Sequence, residues 1–173
     1  MSSQYSEQRV GVFVDVANLY HSARVMYNRK VNFRAVIKEA VGDRKLIRAI
    51  AYVIKAESPE EQKFFDALDK IGFEVKSKEL QVFYGGHKKG DWDVGIAMDA
   101  IRLAPKIDVV VLVSGDGDFV PLLEHLKSIG QRTEVIAFGR SASGRLRDLA
   151  DNFIDLDSNV RKFLLADRKS SNG

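Results

Sequence analysis

An α/β fold, a three-layer α/β/α sandwich around a mostly parallel sheet, is predicted by three observations. The stretch Val109-Val110-Val111-Leu112-Val113 is a continuous, β-branched apolar run, the composition of a strand buried on both faces. Similar runs recur along the chain and alternate with stretches of helical period, which implies βαβ units and right-handed crossovers. The run at 109–113 passes directly into Ser114-Gly115-Asp116-Gly117-Asp118, and in open α/β sheets ligands gather at the carboxyl ends of strands. The 173 residues suit one domain with a sizeable core.

Each element follows from its own pattern. Arg9 to Asp15 is a strand with the buried run Val10-Gly11-Val12-Phe13-Val14, and from Ala17 the residues Leu19, Ala23, Met26 and Tyr27 recur at helical spacing. Asn32 is placed to cap a second helix that carries Phe33, Val36, Ile37, Ala40 and Val41 on one face and stops at Gly42. Residues 46–54 make the second strand. Ser58-Pro59-Glu60-Glu61 has the form of a helix start, with Ser58 as N-cap, Pro59 at the first position and Glu61 three after the cap. That helix runs through Phe64, Phe65, Leu68 and Ile71 to Gly72. Residues 73–83 alternate apolar and polar, as a strand nearer the sheet edge does.

A glycine- and lysine-rich loop over residues 84–93 then enters a helix carrying Val94, Ala97, Met98 and Ile101, which Pro105 closes. After the central strand, Phe119, Leu122, Leu123, Leu126 and Ile129 mark a helix. Residues 132–138 are a fifth strand, residues 139–144 a loop into a short helix with Leu146, Leu149 and Ala150, and residues 153–156 a last strand. The domain is expected to span residues 9–157, with 1–8 and 158–173 as terminal extensions.

Composition excludes several chemistries. Without cysteine there are no disulfides and no thiolate metal sites. No apolar run approaches the roughly 20 residues that span a bilayer, and the polar residues 1–8 hold no signal-peptide core, so the cytoplasm is expected and a membrane partner is not. A net charge of +3 neither demands nor excludes nucleic acid. His21, His87 and His125 have no metal-ligand spacing.

The carboxylates carry more. The carboxyl ends of strands and the amino ends of the helices that follow share one sheet edge. Asp15 ends the first strand, Asp116 and Asp118 follow the central one, and Asp91 and Asp93 open the preceding helix. Four carboxylates, Asp15, Asp93, Asp116 and Asp118, are expected to converge there. An unneutralised cluster repels itself, and oxygen-only ligands suit Mg²⁺ or Mn²⁺. Two such ions about 3.5–4 Å apart would clamp a phosphodiester. For each residue a plainer role stands beside this one. Asp118 is as well placed to cap the next helix, and Asp91 to cap the helix it precedes, which makes Asp93 the ligand carried forward. Asp99 is rotated away and expected to be solvated or salt-bridged, Asp108 is structural at the opposite edge, and Asp155 and Asp157 are expected at the surface. Asn18 either caps the first helix or orients a group beside Asp15. Ser114 either turns the chain or donates to Asp116 or to a phosphate. Lys88, Lys89 and Arg140 are candidate phosphate contacts, set against solvated loops. Arg145 and Arg147, with Arg140, flank a loop into a helix amino terminus. Tyr20, Tyr84 and Trp92 could stack bases, with core packing the commoner fate of an aromatic.

Taken together, four motifs in order resemble a known family. Val12-Phe13-Val14-Asp15-Val16-Ala17-Asn18 resembles the D-x-x-N opening of NYN domains. Lys89-Gly90-Asp91-Trp92-Asp93-Val94, followed by Ala97-Met98-Asp99-Ala100, is similar to their K-G-x-D helix entry, with one extra residue and one extra acid in the loop. Val113-Ser114-Gly115-Asp116-Gly117-Asp118-Phe119 resembles S-G-D-x-D-F, and Leu149-Ala150-Asp151-Asn152-Phe153 the C-terminal A-D-x-F segment. The resemblance is to the LabA-like branch of the PIN-like nuclease superfamily, over residues 9–157. It implies a PIN-like sandwich and metal-dependent RNA cleavage at a site matched by Asp15, Asp93, Asp116 and Asp118, with Asn18 beside it. Asp99 also falls on an acidic position of the family motif. The expected function is a Mg²⁺- or Mn²⁺-dependent endoribonuclease acting on RNA, compatible with a homodimer. The alternative from another class is a non-catalytic RNA-binding or regulatory module that keeps the acidic site. A haloacid-dehalogenase-type phosphatase would need Asp where Ala17 stands, and a topoisomerase-primase-type domain would need Glu at Asp15.

Overall fold

The apolar runs form a single six-stranded sheet. In the computed structural model, which describes residues 5–82, 88–89 and 91–166, its strands are β1 (Arg9–Asp15), β2 (Lys45–Lys55), β3 (Glu74–Glu79), β6 (Val109–Val113), β7 (Arg132–Ala137) and β8 (Asn152–Asp155), in spatial order β3-β2-β1-β6-β7-β8. Every neighbouring pair is parallel. The chain builds outward from β1 through β2 to β3, then returns to the other side of β1 and builds outward again from β6. The carboxyl ends of β1 and β6 are therefore a topological switch point, where connections leave in opposite directions and a crevice opens.

Seven helices among the described residues cover the two faces: α1 (Val16–Tyr27), α2 (Phe33–Val41), α3 (Glu61–Ile71), α4 (Asp93–Leu103), α5 (Val120–Ser128), α6 (Gly144–Leu149) and α7 (Val160–Phe163). Alternation along the strands sorts the core. Val10, Val12, Val14, Val109, Val111 and Val113 pack with Leu19, Val36, Leu68 and Phe163 beneath α1, α2, α3 and α7. Phe13, Ile50, Val110, Leu112 and Val135 pack with Ile96, Leu123, Leu126 and Leu146 beneath α4, α5 and α6. The central run is buried at all five positions because both faces are covered.

Several details depart from the sequence pattern. The alternating stretch 73–83 does not form one strand: β3 stops at Glu79, and β4 (Gln81–Val82) pairs antiparallel with β5 (Lys88–Lys89) as a separate two-stranded ribbon. Helix α3 begins at Glu61 rather than after Ser58. Glu61 still reaches back as a capping box would, its carboxylate accepting from the Ser58 N–H at 3.1 Å and the Ala56 N–H at 3.0 Å. Beyond residue 157, Phe163 and Leu164 are buried and Leu164 bridges to Val31, so this segment is packed on the core. Asn32 caps α2 through the Ala35 N–H, and Gly42 ends it with φ at 59°. At the amino-terminal end of the sheet, Arg44 makes a two-pronged ion pair with the buried Glu134, at 2.8 and 3.0 Å. None of the described helices is long and apolar enough to cross a membrane.

Candidate metal centre

β1 delivers Asp15 to the switch point, where it is nearly buried and serves as the N-cap of α1. Its two oxygens are held separately. Oδ1 accepts from the Asn18 backbone N–H at 3.3 Å, and Oδ2 accepts from Ser114 Oγ at 3.0 Å. Asn18 does not cap α1 itself. Its side-chain oxygen accepts from the Gly115 N–H at 3.0 Å and ties the end of β1 to the loop after β6. Burial pushes the Asp15 carboxyl above its ordinary value, opposed by the hydrogen bonds from Asn18 and Ser114 and assisted by Asp116 and Asp91.

β6 delivers the second carboxylate. Fully buried Ser114 spends its hydroxyl proton on Asp15, and its oxygen accepts from the Asp116 N–H at 3.2 Å. Asp116 then caps a single 3₁₀ turn, Gly117–Phe119, by accepting from the Asp118 N–H at 2.9 Å. The cap expected of Asp118 thus belongs to Asp116. Gly115 is required for close approach: a Cβ there would stand 3.0 Å from the Ala142 backbone, whose neighbour Ser143 donates its N–H to the Gly115 carbonyl at 2.9 Å.

The third carboxylate is Asp93, the first residue of α4. Trp92, not Asp91, stands at the N-cap of α4, and Asp91 accepts from the Asp93 N–H at 3.2 Å from one residue further out. Trp92 between them is an anchor. Its indole Nε1 donates to the Val53 carbonyl at 2.9 Å, and its ring tilts against Tyr52 at 5.3 Å. Packing was the commoner fate expected of this aromatic, and the bond to Val53 is what the sequence did not show. The spacing Trp92–Gly95 was its one signal, since a Cβ on Gly95 would fall 2.5 Å from the indole. Asp93 is pushed up to about 7, first by burial and then by Asp116, Asp91, Asp15 and Asp118.

Oxygens of Asp15, Asp93 and Asp116 all lie within 4.8 Å of one another. Asp118 falls outside this trio, yet its charge is felt at Asp93. The chain's own turn accounts for this: once Asp116 accepts the Asp118 N–H, the two side chains are set at different points of a tight turn. Asp99 lies elsewhere, its carboxylate accepting from Tyr52 and Lys76, each at 2.8 Å. Burial alone would raise it, but those two donors hold it below its ordinary value. Lys88 and Lys89 lie on β5, their side chains outside the described residues, as are Tyr84 and His87. Arg140 is turned toward Tyr27, donating to its hydroxyl at 2.7 Å and lying over its ring, while its backbone N–H donates to Asp157. Arg145 pairs with Glu124, and Arg147 lies over Phe153. Asp108 is structural, paired with Arg9 across the opposite edge. Asp155 and Asp157 are not surface residues as expected. They are partly buried and accept backbone N–H groups from Gly139 and Arg140.

The donor set is three carboxylates and no nitrogen or sulfur, with no ion-pair partner for any of the three among the described residues. Such a set could hold a hard divalent cation.

Comparison with known proteins agrees with this architecture. The sequence profile of the NYN domain matches residues 9–157. The chain is 26% identical to the Low amplitude and bright protein LabA of Synechococcus elongatus, over 92% of this chain and 89% of that protein. It is 28% identical to an uncharacterised protein of Methanocaldococcus jannaschii, over 88% of this chain and 74% of that one. A crystal structure of a Vibrio parahaemolyticus protein of unknown function superposes with a TM-score of 0.84 at 37% identity, covering 95% of this chain and all of that one.

Proposed function

Because this chain belongs to the NYN domain family, in its LabA-like branch, we propose that it is a metal-dependent ribonuclease that hydrolyses RNA phosphodiester bonds at the switch point between β1 and β6. The observation that carries the proposal is the trio itself: Asp15, Asp93 and Asp116, brought within 4.8 Å by three separate segments. Like charges this close are costly, and the chain assembles them with dedicated hydrogen bonds instead of spreading them apart.

Asp15, Asp93 and Asp116 would hold Mg²⁺ or Mn²⁺. A cation bound there supplies charge neutralisation for the phosphate and makes water a better nucleophile. The residues have their own tasks. Asn18 and Ser114 fix both oxygens of Asp15, so that the carboxylate need not reorganise when RNA arrives. Ser114 also fixes the Asp116 backbone through its oxygen. Asp93 exchanges its carboxyl proton near neutral pH while the site holds no cation. Asp118, one turn away, is assigned to positioning water or phosphate beside the trio. In the reaction, the water oxygen bonds to phosphorus as one bridging P–O bond breaks.

The test is Asp116→Asn, a substitution that keeps the shape and the oxygen that accepts from Asp118. It should abolish Mg²⁺- or Mn²⁺-dependent cleavage of RNA and leave the circular dichroism spectrum unchanged. Full activity in that variant refutes the mechanism. RNA binding that survives chelator, with no cleavage in any metal, would instead favour a binding module.

A further inference from the structure

Resting on that reading, we infer that a single RNA strand leaves the acidic trio along α1, seating a base in an apolar cleft against Tyr20 and its next phosphates beside Arg24 and Lys30. The cleft, about 320 Å³, lies between α1, the end of β2 and the start of α3, and is lined by Val16, Ala17, Tyr20, Val53, Phe64 and Phe65 among others. Val16, which lines the cleft, directly follows Asp15 in the chain, so α1 carries both the cleft and, at its N-cap, a carboxylate of the trio. Tyr20 is 46% exposed, unusually open for a large aromatic side chain on a helix whose other face is core.

A second, smaller depression of about 180 Å³ adjoins it and shares Tyr20. It is lined further by Arg24, Asn28, Arg29 and Lys30. Val16, Tyr20 and Arg24 are spaced by four residues and form one stripe along α1, which ends at its C-cap Asn28. The order along that stripe is carboxylate, apolar cleft, exposed aromatic, cations. A nucleic-acid strand requires that alternation of base and phosphate beside a cleavage site, because bases stack on aromatic faces and phosphates seek cations.

The polar groups set the direction of contact. Ser58 and Glu61 also line the apolar cleft, and the Glu61 carboxylate, held by the Ala56 and Ser58 N–H groups, would repel a phosphate there and leave the cleft to a base. At the other end the charges are positive. Arg24 donates to the Tyr20 hydroxyl at 3.2 Å, which holds the ring in place before any ligand arrives. Arg29 is committed to the Leu165 carbonyl through two N–H groups, whereas exposed Lys30 has no side-chain partner among the described residues. Lys30 and the outer edge of Arg24 are thus the cations available to phosphate.

The experiment uses the full chain and 5′-fluorescein-labelled single-stranded RNA dodecamers. Binding is followed by anisotropy in EDTA and cleavage in Mn²⁺. Tyr20→Ala should weaken binding and raise KM about tenfold or more, with kcat little changed and the melting temperature close to wild type. Tyr20→Phe, which keeps the ring and loses only the hydrogen bond from Arg24, should retain most of the binding that Tyr20→Ala loses. Lys30→Ala should lower the dependence of log affinity on log salt by about one phosphate contact. If the wild type binds RNA without cutting it, the catalytic proposal fails and the Tyr20 comparison still decides the path. If it cuts RNA and Tyr20→Ala binds and cuts as well as wild type, the path is overturned and the catalytic proposal stands. No RNA binding at all overturns both.

Discussion

Replacing Asp93 by Asn should stabilise the metal-free protein, by an amount that depends on pH. Asp93 sits at the amino end of α4 among Asp15, Asp91, Asp116 and Asp118, and burial together with these charges pushes its carboxyl up to about 7 from an ordinary 3.8. In the unfolded chain it titrates near its ordinary value, so between the two the folded state binds more protons. Stability is lost as pH rises through that window, and the loss is complete above it. A difference of about 3 units corresponds to about 4 kcal/mol at 1.36 kcal/mol per unit. The carboxylate is only partly buried, and solvent screening reduces the expected effect to about 1–2 kcal/mol. Asn cannot ionise and escapes the loss. In a chain of this size each kcal/mol moves the melting temperature by about 2–4 °C, so Asp93→Asn should melt about 2–8 °C higher than wild type at pH 8 in EDTA. The gap should close as pH falls toward 4. Calorimetry across that range measures it. Millimolar Mn²⁺ at pH 8 should then raise the melting temperature of wild type and raise that of the variant much less. An equal gap at pH 8 and pH 4.5, or a variant that melts lower at pH 8, would show that the carboxylates do not crowd one another and would refute the proposed site.

The remaining predictions separate site from scaffold. Ser114→Ala removes the donor to buried Asp15 and the acceptor for the Asp116 N–H, and should cost about 1–3 kcal/mol in urea unfolding while raising the Mn²⁺ concentration needed for cleavage. Arg44→Ala leaves buried Glu134 with Arg132 alone, at 3.2 Å, and should cost about 3 kcal/mol, with RNA cleavage per folded molecule unchanged because the pair lies at the opposite end of the sheet. Gly95→Ala puts a methyl group 2.5 Å from the Trp92 indole, so the ring must leave the Val53 carbonyl; about 1–3 kcal/mol should be lost in thermal melting, and KM for Mn²⁺ should rise as Asp93 shifts.

The sheet was legible because its strands carry their own signature. Val10–Val14 and Val109–Val113 are apolar on both faces, and that follows only from a strand covered on both sides. The edge was less legible. The alternation expected over residues 73–83 runs through Leu80, but the Leu80 backbone N–H turns back to the Lys55 carbonyl, and the chain leaves the sheet after Glu79. Alternation records which side chains face the core, not where the ladder ends. The Arg44–Glu134 pair, separated by 90 residues, left no local mark in the sequence.

At the site the same distinction applies. Topology was enough to bring Asp15 and Asp116 together, because a charged group at the end of a buried strand has one sheet edge available and β1 and β6 are neighbours. What the spacing could not separate was Asp116 from Asp118, which differ by a single glycine and share a composition. A backbone hydrogen bond separates them: by capping the 3₁₀ turn, Asp116 stays with Asp15 and Asp93, and Asp118 is carried out of the trio. A backbone hydrogen bond also marks the choice at α4, where Asp91 accepts the Asp93 N–H and Asp93 joins the trio. At two of the three corners, then, one carboxylate oxygen is engaged by a helix or turn amino terminus, Asp15 by the Asn18 N–H and Asp116 by the Asp118 N–H. Those N–H groups are partial positive charges fixed by the fold, and they offset part of the negative charge gathered at the switch point. The caps and the metal-binding arrangement are therefore not competing explanations of these aspartates, since the first keeps the charges folded together and the second is what folding them together permits.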